Sequence, residues 1–209
     1  MIKCPLCGSK TSFYLSFRQK DYRNCDNCHS VFLDEEHTIS EEKEMKRYEL
    51  HNTNTNDFGY LKFIKPLSNY VENNFTNSDK GLDFGCGKEG VAAEYLSSKG
   101  LSLAMYDPYF HDNKHLLNET YDFIISIEVI EHFNNPDKEF ALLYKMLKNG
   151  GQLILMTDLL SEDTDFLNWY YKNDETHVFF YSPKTFIYIQ EKYGFDSIAI
   201  RERLIVLTK

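Results

Sequence analysis

The stretch GLDFGCGKEG, residues 81–90, decides the fold, because it fits the G-x-G-x-x-G pattern of a nucleotide-binding turn. A short apolar run leads into Gly85 and Gly87, which let the backbone approach a ligand closely because no Cβ intervenes. The helical pattern VAAEYLSSKG follows at once and ends at Gly100. This unit predicts a strand, a ligand-binding turn and a helix.

Strand and helix patterns alternate along the rest of the chain. The apolar strand candidates are LSLAMYDP (101–108), YDFIISIEVI (121–130), QLILMT (152–157) and a closing pair, FDSIAIRE (195–202) and RLIVLTK (203–209). Asn135-Pro136 and Ser182-Pro183 have the residues typical of helix starts. We predict an α/β fold with a doubly wound, mostly parallel Rossmann-like sheet, whose ligands lie at the carboxyl ends of the strands.

Two acidic residues indicate which nucleotide the turn holds. Asp107 ends the second predicted strand, where a carboxylate accepts hydrogen bonds from a ribose diol, as both NAD and S-adenosylmethionine allow. Asp83 lies two residues before the first glycine and would repel a pyrophosphate. The ammonium and sulfonium groups of S-adenosylmethionine are cations that a carboxylate stabilises. We therefore predict S-adenosylmethionine as the cofactor.

With these residues, the sequence resembles the class I S-adenosylmethionine-dependent methyltransferases. The stretches that carry the resemblance are LDFGCGKEG (82–90), YDP (106–108), YDFIISIEVIEHF (121–133) and LKNGGQLILMT (147–157). The resemblance implies a seven-stranded sheet whose last strand runs antiparallel. The cofactor contacts that it implies are the methionine part at Asp83, Gly85, Cys86 and Gly87, the ribose at Asp107, and the backbone of Ile127 and Glu128 closing over the cofactor.

The chain departs from this family between the second and the next strand. Only 13 residues (108–120) separate Asp107 from Tyr121, where the family usually has a helix, a strand and another helix. That region commonly supplies the adenine contacts. We expect a shortened sheet edge, with Pro108, Tyr109 or Phe110 packing on the adenine ring.

An aromatic segment, FLNWYYKNDETHVFFYS (166–182), surrounds a short polar centre. Apolar walls around a few polar groups are typical of a small-molecule pocket, and we predict His177 as the base or acceptor-positioning group. The predicted acceptor-site residues are His177 and His132 as catalytic groups, and Trp169, Tyr181 and His51 as binding groups. The alternative is that the aromatic residues form core and the histidines only stabilise their turns.

Two C-x-x-C pairs, Cys4 with Cys7 and Cys25 with Cys28, lie 17 residues apart near the N-terminus. Four thiolates in this pattern form the ligand set of a structural Zn²⁺ site. About 32 residues cannot bury enough core to fold alone, so the metal would supply folding energy. The segment resembles a rubredoxin-like zinc ribbon, and two disulfides are the alternative.

The composition limits the partners. With 32 Asp+Glu and 23 Lys+Arg, the net charge is −9, which disfavours a broad phosphate-binding surface and therefore a nucleic acid. No apolar run approaches the roughly 20 residues of a membrane span, so we expect no membrane partner. The N-terminus has no apolar signal-peptide core, and we expect a cytoplasmic protein.

The predicted domains are a zinc ribbon at 1–33, a helical linker and cofactor lid at 34–79, and a methyltransferase domain at 80–209. The segment IEVIEH is similar to small-molecule O- and C-methyltransferases, and we predict methyl transfer to a small-molecule acceptor. Two alternatives stay open. One is an RNA methyltransferase that grips nucleic acid through the ribbon, and the other is a cofactor-binding protein without catalysis.

Overall fold

The structure is a computed structural model that describes residues 2–49 and 58–209. Its strands are β1 Ser12–Phe17, β2 Lys20–Asn24, β3 Val31–Leu33, β4 Lys80–Phe84, β5 Ser102–Tyr106, β6 Tyr121–Ile127, β7 Leu147–Met156, β8 Phe179–Phe180, β9 Ser197–Arg201 and β10 Leu204–Thr208. Its helices are α1 Glu41–Glu49, α2 Phe58–Asn74, α3 Val91–Ser98, α4 Pro136–Met146 and α5 Pro183–Tyr193.

The larger sheet has the strand order β5-β4-β6-β7-β10-β9. Neighbouring strands from β5 to β7 pair in parallel. Helices α3 and α4 follow β4 and β6, and they carry the chain back so that the next strand can run parallel. β10 lies antiparallel between β7 and β9. This topology confirms the predicted doubly wound, mostly parallel α/β sheet with an antiparallel last strand.

The sheet has six strands, one fewer than the resemblance implied. Between β5 and β6 the chain forms a β-bridge from Asp107 to His111 and a 3₁₀ turn at Lys114–Asn118, in place of a helix, a strand and a second helix. The segment 108–120 is too short for three elements. β5 therefore becomes the edge strand, as the short segment led us to expect.

Hydrophobic cores cover both faces of this sheet. On one face α2 and α3 contribute Ile64, Leu67, Val71, Ala92 and Leu96. On the other face α4 and α5 contribute Phe140, Leu143, Phe186 and Ile189. Successive residues of β6 face opposite cores, which explains its uninterrupted apolar sequence. Among the described helices, none combines the length and apolar character needed to cross a bilayer.

The cysteine-rich N-terminus forms a second, four-stranded sheet with the order β1-β2-β3-β8. Its fourth strand comes from the far end of the chain, because β3 pairs antiparallel with β8. The hydroxyls of Ser182 and Thr185, at the start of α5, donate to the His29 carbonyl at 2.9 and 3.0 Å. The segments 2–33 and 80–209 therefore share one sheet and one core.

Candidate functional site

The glycine turn, residues 85–90, follows β4 and leads into α3. Gly85 has a φ of 82°, and a Cβ at this position would lie 2.5 Å from the Val129 side chain. Any larger residue would therefore clash. Gly87 has a φ of 67°, and a Cβ there would meet nothing within 4 Å. The turn is tightly packed on one side and borders open space on the other.

Hydrogen bonds hold the turn against the end of β5. The amides of Gly85 and Cys86 donate to the Tyr106 carbonyl at 2.8 and 3.1 Å. The Gly87 amide donates to Asp107 Oδ2 at 3.0 Å. Cys86 is half-buried, and burial raises the pKa of its thiol. The backbone of the turn is thus fixed before any ligand binds.

Asp107 organises the short segment that replaces the missing strand. Its Oδ1 accepts hydrogen bonds from the amides of Tyr109 and Phe110 at 2.9 and 3.1 Å. A carboxylate has about four acceptor positions, so these bonds and the one from the glycine turn leave room for another donor. Pro108 is exposed, whereas Tyr109 is half-buried and its hydroxyl lies 3.4 Å from Glu44 of α1.

Asp83 lies inside the sheet, two residues before the turn, and is 2% exposed. Its Oδ2 has no hydrogen-bond partner within the described part of the chain. Burial raises the pKa of its carboxyl to about 7, against the effect of the Ala93 amide, and the charge of Asp107 raises it further. A buried carboxylate oxygen without a partner is costly, and a cationic ligand would relieve that cost.

A second acidic side chain follows the adjacent strand. Ile127 ends β6, and Glu128 adopts the left-handed region with a φ of 53° while its amide donates to the Met156 carbonyl at 2.8 Å. Burial, together with the charge of Glu131, raises the pKa of Glu128 to about 8, although Arg203, 3.7 Å away, opposes this shift. Its buried Oε1 lacks a hydrogen-bond partner among the described residues.

Glu131 is fully buried in the 3₁₀ turn after β6. Its Oε1 accepts a hydrogen bond from the Tyr171 hydroxyl at 2.5 Å, and its Oε2 accepts one from the Thr157 hydroxyl at 3.1 Å. The Tyr171 and Thr157 hydroxyls are themselves 2.9 Å apart. Burial raises the pKa of Glu131 to about 7 although both hydrogen bonds lower it. The carboxylate is therefore fixed in one orientation.

The two predicted histidines lie together against this carboxylate. Their ring centroids are 4.8 Å apart, and the Nε2 atoms of His132 and His177 lie 4.0 and 3.9 Å from Glu131 Oε1. His132 Nδ1 contacts the Thr176 carbonyl at 2.9 Å, and His177 Nδ1 contacts the Tyr171 carbonyl at 2.7 Å. We refer to Glu131, His132 and His177 as the Glu–His–His cluster.

Helix α1 covers this cluster from one side. The Tyr48 ring packs edge-on against His132 with centroids 5.4 Å apart. Arg47 Nη2 lies 3.0 Å from Asp174 Oδ2, in the loop that carries His177. His51, predicted to bind the acceptor, lies outside the described residues.

Trp169 and Tyr181, the two aromatic residues predicted to bind the acceptor, have different surroundings. Trp169 packs beside Tyr171 with ring centroids 5.3 Å apart, and its Nε1 donates to Asp158 at 3.2 Å. Tyr181 is 0% exposed, and its hydroxyl donates to the Ile130 carbonyl at 2.9 Å. In this structure Tyr181 does not line the cluster but supports its loop from the core.

Several residues of the site were not among the site residues predicted from the sequence. Tyr171 and Thr157 orient Glu131, and Arg203 faces Glu128 and Asp158. Glu131 itself carried a signal, since it is an acidic residue directly after an apolar strand. Tyr171 lies in the aromatic segment 166–182 that predicted a small-molecule pocket, but its contact with Glu131 could not be read from the sequence. Thr157 and Arg203 carried no signal, because their contacts depend on distant parts of the chain.

The N-terminal cysteines converge on one point. All five cysteines of the chain are unbridged, and the sulfurs of Cys4, Cys7, Cys25 and Cys28 lie within 4.8 Å of one another. The Cys4–Cys28 and Cys7–Cys25 pairs are 3.5 and 3.3 Å apart. A disulfide requires about 2.0 Å. Four sulfurs at about 2.3 Å from a tetrahedral zinc would be about 3.8 Å apart, close to the observed spacing.

The topology and the glycine turn define the Rossmann-like fold of the S-adenosylmethionine-dependent methyltransferases. Residues 51–200 match the methyltransferase domain family, and the chain belongs to this family. A search of curated proteins gives no significant match.

Solved methyltransferase structures share this fold. Human N-acetylserotonin methyltransferase in complex with S-adenosylmethionine has a TM-score of 0.55 and 15% identity, over 81% of this chain and 56% of that chain. Magnesium protoporphyrin IX methyltransferase from Synechocystis PCC 6803, with bound S-adenosylhomocysteine, has a TM-score of 0.54 and 15% identity, over 81% and 95%. An O-methyltransferase family protein from Burkholderia thailandensis has a TM-score of 0.55 and 12% identity, over 79% and 61%. The chain thus spans less than two thirds of the human and Burkholderia proteins.

The buried carboxyl of Asp83 predicts a pH-dependent stability. Because its pKa is raised from 3.8 to about 7 in the folded protein, the unfolded chain releases the proton first and stability falls as pH rises through this window. Asp83→Asn should remove this fall. In the cofactor-free protein, the variant's gain in the free energy of unfolding should grow between about pH 4 and pH 7, up to about 4 kcal/mol.

Denaturant unfolding at several pH values would measure this gain. Asp163→Asn, an exchange at an exposed loop position, is the matched control and should follow the wild-type profile. The comparison must be a difference between variant and wild type, because Glu128 and Glu131 titrate in the same window. Parallel profiles for wild type and Asp83→Asn would contradict the prediction.

Proposed function

We propose that this protein transfers a methyl group from S-adenosylmethionine to a small-molecule acceptor. The observation that carries the proposal is a buried carboxylate oxygen of Asp83, beside an open glycine turn, that has no hydrogen-bond partner among residues 2–49 and 58–209. Glu131 and His132 of the Glu–His–His cluster follow the adjacent strand β6, at the same carboxyl edge of the sheet. A cation-binding end and an acceptor-binding end are therefore neighbours.

The residues present fit this cofactor. Asp83 would compensate its positive groups, and the amides and open side of Gly85, Cys86 and Gly87 would take the methionine part. Asp107 has acceptor capacity for a ribose hydroxyl. The bound cofactor supplies a methyl group on a positively charged sulfur. Burial, and then the charges of Asp83 and Glu128, raise the pKa of the Tyr60 hydroxyl. Tyr60 is therefore near both carboxylates and would cover this end of the cofactor.

The acceptor must be placed in line with the methyl carbon and freed of its proton. Its nucleophilic atom forms the new bond to carbon while the carbon–sulfur bond breaks, and the bonding electrons stay on sulfur. We assign the positioning of the acceptor to His177, with His132 beside it. The buried Glu131 holds both imidazoles in place, and the side chain of Trp169 would border the acceptor.

The charge distribution favours a small molecule over a nucleic acid. The net charge is −9, and three acidic groups, Glu128, Asp158 and Asp174, lie near the cluster. They outnumber the two arginines that pair with them, Arg203 and Arg47. The cluster side chains are mostly buried, at 10% exposure for His177 and 15% for His132. A polyphosphate chain would be repelled by this environment.

We further propose that Cys4, Cys7, Cys25 and Cys28 hold one structural Zn²⁺. The spacing of their sulfurs supports four-coordinate binding with no open position. A hydrogen bond to Cys4, and then burial, raise the pKa of the Cys28 thiol. Without a cation, the four thiols therefore do not all become thiolates together. A divalent cation would remove this conflict.

The zinc site predicts a loss of one metal ion when a ligand is removed. Cys25→Ser should carry about one Zn²⁺ per chain less than wild type, as measured by elemental analysis of protein purified without added metal. A thiol-blocking reagent should release the same amount from wild type. Cys86→Ser, which removes the remaining cysteine, is the control and should keep its zinc. Equal zinc in wild type and Cys25→Ser, or cysteines found as disulfides, would refute this site.

The proposed ribose contact of Asp107 predicts that removing its carboxylate weakens cofactor binding. Titration calorimetry should show binding of S-adenosylhomocysteine and no binding of NAD. Asp107→Ala should weaken binding by about 1–3 kcal/mol, because hydrogen bonds to a charged carboxylate are lost. Asp112→Ala, an exposed neighbour, should leave the affinity unchanged. An unaltered affinity in Asp107→Ala would mean that the ribose lies elsewhere.

Methyl transfer itself can be tested with methyl-labelled S-adenosylmethionine and separate metabolite and RNA fractions. We expect label in the metabolite fraction. His177→Ala should reduce the rate by about 10²–10⁴-fold, the usual contribution of a general base or positioning group. Its affinity for S-adenosylhomocysteine should stay within about threefold. His115→Ala, at an exposed position, is the matched control.

The outcomes separate the competing functions. Label in RNA would favour an RNA methyltransferase that uses its ribbon as a grip. Cofactor binding without transfer to either fraction would favour a binding protein without catalysis.

A further inference from the structure

The hydrogen bonds of the two clustered histidines fix where their lone pairs lie. A carbonyl oxygen only accepts, so the ring atoms that contact the Thr176 and Tyr171 carbonyls, Nδ1 of His132 and Nδ1 of His177, must carry hydrogens. In the neutral ring the lone pair is then on Nε2. Both Nε2 atoms face the same oxygen, Glu131 Oε1, at 4.0 and 3.9 Å.

This arrangement is the one that metal-binding histidines use. A ligating histidine usually donates its other N–H to a carbonyl or carboxylate, which fixes the ring and keeps the ligand nitrogen unprotonated. The ligand atoms of Glu131, His132 and His177 all lie within 4.8 Å of one another. Small side-chain rotations would bring all three to about 2.0–2.2 Å from one ion.

The Glu131 carboxylate is also oriented by hydrogen bonds, as a metal-ligating carboxylate usually is. Tyr171 and Thr157 donate to opposite oxygens of Glu131 and hold the fully buried group in place. Ligating carboxylates are typically oriented by such hydrogen bonds. These two donors are neutral hydroxyls, and the Nε2 atoms of His132 and His177 stand 4.0 and 3.9 Å from Glu131 Oε1.

The surroundings carry an excess of negative charge. Glu128 has a buried oxygen without a hydrogen-bond partner in the described chain, and Asp158 lies on the same side. Arg203 contacts Glu128 and Asp158 at 3.7 and 3.4 Å. Buried charges in proteins are paired or coordinate metals, and here a further cation would complete the pairing.

We propose that Glu131, His132 and His177 bind a divalent transition-metal ion that holds the methyl acceptor through an oxygen atom. The inference rests on the proposed methyl transfer and specifies how its acceptor is bound. Two imidazoles and one carboxylate occupy one side of an ion and leave the remaining positions open for a substrate. His177 then positions the acceptor through the ion.

The ion favours a hydroxyl acceptor over an amine. A coordinated hydroxyl loses its proton to solvent more readily, because the cation stabilises the resulting oxyanion. The oxyanion still has lone pairs to attack the methyl carbon, and the carbon–sulfur bond breaks with its electrons staying on sulfur. A coordinated neutral amine would have its only lone pair bound to the metal.

Titration of the full-length protein with Co²⁺ tests this site separately from the cysteines. Thiolate ligands give a thiolate-to-cobalt charge-transfer band, which imidazole and carboxylate ligands do not produce. Metal-stripped wild type should bind about two equivalents, one with this band and one without. His177→Ala and Glu131→Gln should lose the second equivalent, with affinity at least about 100-fold weaker, and keep the first. Glu131→Gln keeps the size of the side chain but removes its charge and replaces one acceptor oxygen with an amide donor.

His115→Ala is the matched control and should bind both ions. The charge-transfer band in each variant reports a folded ribbon, and calorimetry with S-adenosylhomocysteine reports a folded cofactor site. Wild type that binds S-adenosylhomocysteine but fills only the thiolate site overturns the metal inference alone. Variants that keep both equivalents overturn it as well. Wild type that fails to bind S-adenosylhomocysteine overturns the proposed function, whatever the metal content.

Discussion

A pair of hydrogen bonds at Val178 ties the turn after β6 to the cysteine-rich sheet. The Val178 amide donates to the Glu131 carbonyl, and the Val178 carbonyl accepts from the Leu33 amide, both at 2.9 Å. A single residue is therefore fixed between the loop after β6 and strand β3 of the cysteine-rich sheet. Because His177 directly precedes Val178, the position of this histidine depends on both contacts. The position of His177 in the candidate acceptor site therefore depends on the order of the cysteine-rich sheet.

Buried acidic groups are the second constraint on the fold. Asp83, Glu128 and Glu131 lie at the carboxyl edge of the sheet, and burial raises the pKa of each of them. Each charge destabilises the ligand-free protein at neutral pH. Groups of this kind concentrate at functional sites, where a ligand of opposite charge compensates them. The cationic cofactor would serve Asp83, and the proposed metal ion would serve Glu131.

The sequence predicted the parts of the structure that depend on local patterns. The glycine turn, the apolar run of β6 and the short 108–120 segment led to the parallel sheet with its shortened edge. The pairing of β3 with β8 joins residues about 150 positions apart, and no periodicity announces it. The surroundings of Tyr181 differ from the prediction for the same reason, since alternating aromatic residues look alike whether they face a pocket or a core.

The ribbon is linked to the Glu–His–His cluster through a shared core. Its buried residues, such as Leu6 and Tyr22, pack in the same core as Phe179 and Phe180. A sheet of this size has little core of its own, so its order depends on whatever holds the four sulfurs together. Loss of that order would release β8, and the loop that carries His177 would lose one of its two anchors. The stability of the cysteine site is therefore also a condition for the geometry of the Glu–His–His cluster.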